Sequence, residues 1–453
     1  MMKVLVVLAW FSGLAGAVGT GALIWWALAH RSAGDRRAAG RIGAVAVLWA
    51  LVSGAGVLVP AAAGGIGVVL LLLAAGVLFP RGRTVGKPLP TPEPYDERDT
   101  LFSRNTYLPG TEAYRDYYCR HRERRETDDA LRDMPGLGEE GTLAYDPAAA
   151  ALMHSSFELT GEMHSMVEAG AGGDLVPGED GAELIRTAAR HWGACTVGFA
   201  RLEKGDIYSH VGRRREEYGR RVSLDHTSAV VLGVQMRYPA VAAAPSLVSS
   251  AESARAYLEV AVIALGMVRI IGRLGWTARA HIDGSYQVAA SPIAARAGLG
   301  EIGRSGLLVT EEWGPRVRLA VVTTGMPLPH GQPISFGLEE FCRVCGRCAH
   351  GCPARAIEGG PRPRLSRGVR KWTVDGERCY RYWRTIGSDC GLCLKTCPYS
   401  RPDAEPHRAL RRLVRRRPLV TRAVLRAYSF VYGRAPGARL KGIDAHDTLA
   451  RER

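Results

Sequence analysis

A mixed α/β or α+β body, set between an apolar N-terminal stretch and a cysteine-dense module, is the fold class that this 453-residue sequence predicts. Three observations carry it. Between about residue 180 and residue 325, segments of helical period alternate with short apolar strands. Two runs, "FCRVCGRCAHGCPARAIEGG" at 341–360 and "CGLCLKTCPYS" at 390–400, hold seven of the ten cysteines. Long uncharged stretches open the chain.

Residues 4–29 carry no charge and exceed the roughly 20 residues that cross a bilayer as a helix. Residues 42–80 form a second uncharged run, long enough for two spans joined at Pro60, Gly64 and Gly65. Residues 1–80 are therefore expected to be a membrane anchor of three transmembrane helices. Arg31, Arg36, Arg37 and Arg41 precede the second run, and Arg81, Arg83 and Lys87 follow the third span. By the positive-inside rule both segments, and with them the bulk of the chain, face the cytoplasm. The formal net charge is +16 with an arginine excess. No nucleic-acid partner is expected.

Residues 81–97 alternate prolines with charges and read as an extended linker. In the body, 181–194 and 251–275 have helical period, whereas 229–236 and 317–325 are continuous apolar strands. The body is placed at 98–335, the cysteine module at 336–402 and a basic C-terminal tail at 403–453. In the tail, arginines interleave with apolar residues, a pattern that suits either a solvated face or an anionic lipid surface.

Cys342, Cys345, Cys348 and Cys352 have the spacing C-x2-C-x2-C-x3-C followed by Pro353, which is the bacterial ferredoxin run. Its first three thiolates wrap one [4Fe-4S] cubane and its fourth ligates a second. Cys390, Cys393 and Cys397, with Cys379 eleven residues upstream, supply the rest. The predicted sets are Cys342, Cys345, Cys348 and Cys397 for one cluster, and Cys352, Cys379, Cys390 and Cys393 for the other. A zinc site is disfavoured by the third closely spaced cysteine and the Cys-Pro ending. Cys119 and Cys195 read as ordinary thiols. Gly298, Gly300 and Gly303 satisfy G-x-G-x-x-G, but a helix-like segment comes before them and a strand-like one after. A dinucleotide fingerprint needs the reverse order, so NAD binding is rejected.

The segments "YDERDTLFSR", "YYCRHRERRETDDALRDMPGL", "YSHVGRRREEYG" and "AGLGEIGRSGLLVTEEWGPRVRLAVVTTGMPL", followed by the two cysteine runs, resemble the cobalamin-dependent reductive dehalogenases over about residues 95–402. The resemblance implies a nitroreductase-like α/β domain that buries a corrinoid, followed by a ferredoxin-type domain with two [4Fe-4S] clusters. It implies a base-off corrinoid, and "DAHDTLA" at 444–450 has Leu449 where the D-x-H-x-x-G motif requires glycine. It also implies Tyr257 as proton donor, Arg318 as its partner, and Gly298, Gly300, Gly303 and Ser285 as corrinoid neighbours. A guanidinium close to a tyrosine favours the phenolate and eases proton release. His281 and Asp283 lie near Ser285 and read as surface polar residues.

The implied activity is reductive dehalogenation, an oxidoreductase reaction that replaces a carbon-bound halogen by hydrogen in a small organohalide. Its electron donor is of the ferredoxin, flavodoxin or quinol-linked reductase class. Two alternatives stand beside it. One is an epoxyqueuosine reductase-like enzyme of tRNA, for which Asp283 lies near the place of the acid; the other is a membrane-bound ferredoxin-type electron carrier.

Overall fold

Continuous apolar runs form strands when both faces of a sheet are covered, and the centre of this molecule is built that way. A computed structural model describes residues 16–29, 31, 36–58, 84–90, 93–173, 181–366, 369–402, 405–415, 417–433, 439–440 and 443–444. The strands of the main sheet are β1 (Glu168–Ala169), β2 (Thr196–Arg201), β3 (Ser228–Gln235), β4 (Ala278–His281) and β5 (Val317–Thr324). Their order is β1-β4-β5-β3-β2, and every neighbouring pair is antiparallel. Strands β3 and β4 therefore run parallel to each other on either side of β5.

Side chains alternate across each strand. Val230, Leu232 and Val234 of β3 and Ala320 and Val322 of β5 enter one core, while Ala229, Val231, Leu319 and Val321 enter another on the opposite face. The expected α/β (α+β) body is thus an antiparallel sheet with helices on both faces, the α+β form. The four expected elements of this body appear at nearly the expected positions. Helix α2 spans Gly181–His191, and the long helix α3 spans Leu247–Arg273. Helix α3 fills the first core with Val260, Ala264, Met267 and Val268. It also receives α1 (Pro147–Glu162), whose Asp146 cap accepts a 2.8 Å hydrogen bond from the Ala149 N–H. On the opposite face lies α4 (Ala290–Arg296).

The cysteine module adds four short helices: α5 (Leu338–Cys345), α6 (Arg347–His350), α7 (Gly376–Ile386) and α8 (Leu392–Thr396). It shares one compact unit with the body, covering 83–400 and 437–453. Two of the conspicuous sequence segments tie it down. Arg104 of "YDERDTLFSR" makes a 2.8 Å ion pair with Asp128, both side chains being almost fully buried, and a second of 2.8 Å with Glu377 at the start of α7. The buried Glu97 carboxylate accepts from the Gly212 N–H at 2.7 Å, which joins the first segment to "YSHVGRRREEYG". In the expected linker, Thr84–Val85 pairs with Ile334–Ser335, so part of that stretch is held as a strand.

The second unit covers 1–82 and 401–436. Its helices include 16–29, Arg36–Leu58, Glu405–Val414 and Pro418–Tyr432. The expectation of three transmembrane helices is not supported, because no described helix is long and apolar enough to cross a membrane. The helix Arg36–Leu58 turns Ala38 and Ile42 onto Val431, and Arg41 donates at 2.9 Å to the carbonyl of Phe430. Those apolar residues are used in helix packing. The run expected as a third span falls largely on 59–83, outside the described residues.

Candidate redox and proton-transfer site

Ser246, Ser250, Ser253 and Tyr257 stand four, three and four residues apart at the start of α3, so they line one face of the helix. Arg318 of β5 has the same parity as Ala320 and Val322, which places it on the sheet face that α3 covers. The two predicted residues therefore meet, with the Arg318 guanidinium carbon 5.1 Å from the centroid of the Tyr257 ring. Arg318 Nη2 donates to Ser253 Oγ at 2.8 Å. Its Nε is buried and has no hydrogen-bond partner among the described residues.

Asp389, the residue before Cys390, fastens this arrangement to the cysteine module. Its Oδ1 accepts from Ser250 Oγ at 2.8 Å and its Oδ2 from Ser253 Oγ at 2.7 Å, while Arg318 Nη2 lies 3.7 Å from Oδ2. Ser388 Oγ donates to the Ser246 carbonyl at 3.0 Å. The turn that follows is tight: Cys390 has φ of 62° and Gly391 has φ of 66°. A Cβ at Gly391 would lie 3.2 Å from Ala244 Cβ, so glycine lets the turn sit close to the body.

Burial pushes the Tyr257 phenol above the usual tyrosine range, and Arg318 pulls it back only in part. The expected effect of Arg318 has the right sign, but desolvation outweighs it, and the hydroxyl is held protonated. Asp283 and Arg213 also act on Tyr257, and they form a pair at 3.3 Å. The Asp283 carbonyl accepts from His164 Nε2 at 2.7 Å. Asp283 is thus a partly buried paired acid, not the surface residue expected.

His281 departs further from that expectation, being fully buried. Its Nδ1 accepts from the Gln287 N–H at 3.1 Å and its Nε2 donates to Thr323 Oγ1 at 3.0 Å. Burial holds its pKa well below the ordinary histidine value. The buried Ser285 hydroxyl accepts from Arg279 Nη2 at 3.4 Å.

The glycine segment runs from α4 into a hairpin of Glu301–Ile302 and Leu308–Val309, an order unlike a dinucleotide site. A Cβ at Gly300 would lie 2.3 Å from the Val309 carbonyl, and one at Gly298, where φ is 78°, 2.7 Å from that of Gln332. What crowds these two positions is the chain's own backbone. A Cβ at Gly303 would meet Val309 Cγ2 at 2.9 Å.

All four cysteines of the first predicted set, Cys342, Cys345, Cys348 and Cys397, line one cavity together with Cys393 of the second set, Gly303, Arg304, Leu338 and Phe341. Burial pushes the thiols of Cys342, Cys345 and Cys348 up to about 12, and that of Cys397 well above its usual value. In the second set, Cys352, Cys379 and Cys390 pack around Ala354, Ala356, Tyr382 and Ile386, and Cys393 interacts electrostatically with both Cys352 and Cys379. Bare thiolates are costly in such places, whereas iron supplies the compensating charge. The donor chemistry and the cysteine-lined cavity fit a cluster. Among the described residues, no group of three or more His, Cys, Asp or Glu side chains is arranged to hold a single metal ion. Cys119 is exposed and Cys195 is a partly buried thiol, apart from both sets.

Sequence reasoning missed Asp389, Ser250, Ser253, Arg213 and Arg304. A signal for the serines was present, since polar residues at helical spacing on an otherwise apolar helix mark a buried polar face.

By fold and site the molecule is an iron–sulfur protein whose antiparallel α+β body presents a tyrosine–arginine pair beside the cysteine module. Residues 341–400 match the family described as 4Fe-4S dicluster domain. The tetrachloroethene reductive dehalogenase of Desulfitobacterium hafniense is 35% identical over 190 residues, covering 40% of this chain and 34% of that protein. That of Sulfurospirillum multivorans is 30% identical over 256 residues, covering 49% of this chain and 51% of its own length. A solved structure described as a reductive dehalogenase that suggests a mechanism for B12-dependent dehalogenation superimposes with a TM-score of 0.60 at 27% identity, over 82% of this chain and 53% of that one. The chain is thus similar to reductive dehalogenases over part of their length. It spans between one third and about half of the length of these relatives.

Proposed function

We propose that the protein is a corrinoid-dependent reductive dehalogenase, in which two electrons and one proton convert a carbon–halogen bond into a carbon–hydrogen bond and a halide ion. The observation that carries this reading is the Tyr257–Arg318 pair, 5.1 Å from guanidinium carbon to ring centroid, tied through Ser253 and Asp389 to Cys390. A proton donor and an electron path converge there. A bound corrinoid supplies a cobalt centre that is reducible enough to cleave a carbon–halogen bond. The unused hydrogen-bonding capacity of Arg318 Nε supports a polar guest beside the pair.

Within that reading Tyr257 keeps its proton until the carbon acquires negative charge, because burial disfavours the free phenolate. Arg318 stabilises the tyrosinate that remains. Asp389 and Ser253 hold the guanidinium in place over the ring. Cys342, Cys345, Cys348 and Cys397, with Cys352, Cys379, Cys390 and Cys393, hold two [4Fe-4S] clusters that relay electrons one at a time. The second set lies nearer the pair, since Cys393 and Arg318 act on each other electrostatically. Ser285, Gly298, Gly300 and Gly303 remain candidate corrinoid neighbours, with a base-off corrinoid. The substrate is a small organohalide, and the donor is of the ferredoxin, flavodoxin or quinol-linked class.

The test is halide release by anaerobically prepared, cobalamin-loaded protein over a panel of aryl and alkyl halides. Tyr257→Phe should lower the rate by roughly 10²–10⁴-fold, the usual worth of a positioned acid. Undiminished turnover in that variant removes Tyr257 from the reaction. The tRNA-directed alternative is disfavoured because Asp283, its candidate acid, is paired with Arg213.

A further inference from the structure

Arg304 is only 2% exposed, yet it has no ion-pair partner among the described residues. Its Nε and Nη2 both donate to the Cys342 carbonyl, at 3.2 and 2.8 Å, and its Nη1 donates to the carbonyls of Glu358 and Gly360, at 2.9 and 2.6 Å. Its guanidinium carbon lies 4.5 Å from the centroid of the Trp372 ring. Backbone carbonyls and an aromatic face satisfy its N–H groups, and the Glu358 carboxylate that acts on its charge is itself paired with Arg364. A buried charge left in that state is costly unless an opposite charge lies close by.

The place of that opposite charge is next door. Arg304 lines the cavity that holds Cys342, Cys345, Cys348 and Cys397, and its own backbone N–H hydrogen-bonds the Cys342 sulfur. The second set of cysteines has mixed surroundings, with the Arg318 cation acting on Cys393. There Asp389 adjoins Cys390, its carboxylate acts on Cys379 and Cys390, and it offsets the charge of Arg318. Cations and N–H donors near a cluster stabilise its reduced form, whereas anions destabilise it. Glu301 opposes Arg304 at Cys342, but more weakly; Arg347 acts in the same sense as Arg304 at Cys345.

We propose that Arg304 sets the reduction potential of the cluster held by Cys342, Cys345, Cys348 and Cys397 above that of the cluster held by Cys352, Cys379, Cys390 and Cys393. The first cluster then stores the electron, and the second, beside Tyr257 and Arg318, is the stronger reductant. The inference rests on the reading that the eight cysteines hold two clusters, but it needs neither the corrinoid nor dehalogenation.

The experiment is a redox titration followed by electron paramagnetic resonance on the intact full chain with both clusters assembled and iron content measured. Wild type should give two separated midpoints. Arg304→Gln should lower the upper one so that the reduced-to-oxidised ratio at fixed potential falls at least tenfold, about 59 mV for one electron, and leave the lower one in place. Arg304→Lys, which keeps the charge, should stay near wild type. Should Arg304→Gln lose iron, Asp389→Asn gives the reciprocal reading, with the lower midpoint rising towards the upper. An upper midpoint unmoved in an iron-replete Arg304→Gln protein, or a lower midpoint unmoved by Asp389→Asn, overturns the proposal. Failure to assemble two clusters in wild type instead overturns the reading beneath it, and loss of dehalogenation alone touches neither.

Discussion

His281 shows at the scale of one residue how burial decides chemistry that composition leaves open. It sits fully buried between the Gln287 N–H and Thr323 Oγ1, bound as the neutral tautomer. The unfolded chain takes up a proton near pH 6.5, whereas the folded one resists until well below that. Below pH about 6.5 the unfolded state therefore binds more protons, so stability falls as the medium turns acid and is recovered above that value. Denaturant unfolding at pH 7 and pH 5 should show the loss, and His281→Gln should flatten it. An equal pH dependence in both proteins removes His281 as its source. The same weighing governs Tyr257, where Arg318 acts in the anticipated direction and desolvation overrules it. The meeting of those two residues was inferred from a family likeness. The quantity that sets their chemistry, the depth at which they lie, has no counterpart in a linear motif.

At the scale of elements, local pattern was a good guide wherever a single element buries its own face. The strands Ser228–Gln235 and Val317–Thr324 and the helices Gly181–His191 and Leu247–Arg273 each begin and end within a few residues of expectation, because apolar runs and helical period record burial directly. What links one element to another was less legible. Asp389 clasps two serines 136 and 139 positions away in the chain, and Arg104 reaches Glu377 across 273. Nothing in the spacing of such residues announces their partner. Arg104 carries the firmest prediction at this scale. Its removal breaks the buried pair with Asp128 and leaves only the weaker action of Arg132 on that carboxylate, so Arg104→Ala should cost roughly 3–5 kcal/mol and loosen α7 from the body. Unfolding curves together with proteolysis of α7 measure this, and an unfolding midpoint equal to wild type shows the pair to be dispensable.

Across the whole molecule, the cysteine spacing and the family likeness speak for the larger unit, in which the cysteine module and the α+β body form one compact unit. Spacing predicts which cysteines share a cluster because a cubane fixes the reach of each ligand, and Cys397 lies on one cavity with Cys342, Cys345 and Cys348, and with Cys393, although it is 49 residues beyond Cys348 in sequence. The smaller unit was less transparent. Uncharged sequence is equally suited to lipid and to the flank of another helix, and Ile42, Leu23, Trp26 and Ala27 of the uncharged runs take the second use in a cluster with Ala38 and Val431. Full-length protein purified without oxygen, reconstituted with iron, sulfide and cobalamin and freed of unbound cofactor, should contain about eight iron atoms and one cobalt per chain. Four or fewer iron atoms, or no retained cobalt, would contradict it.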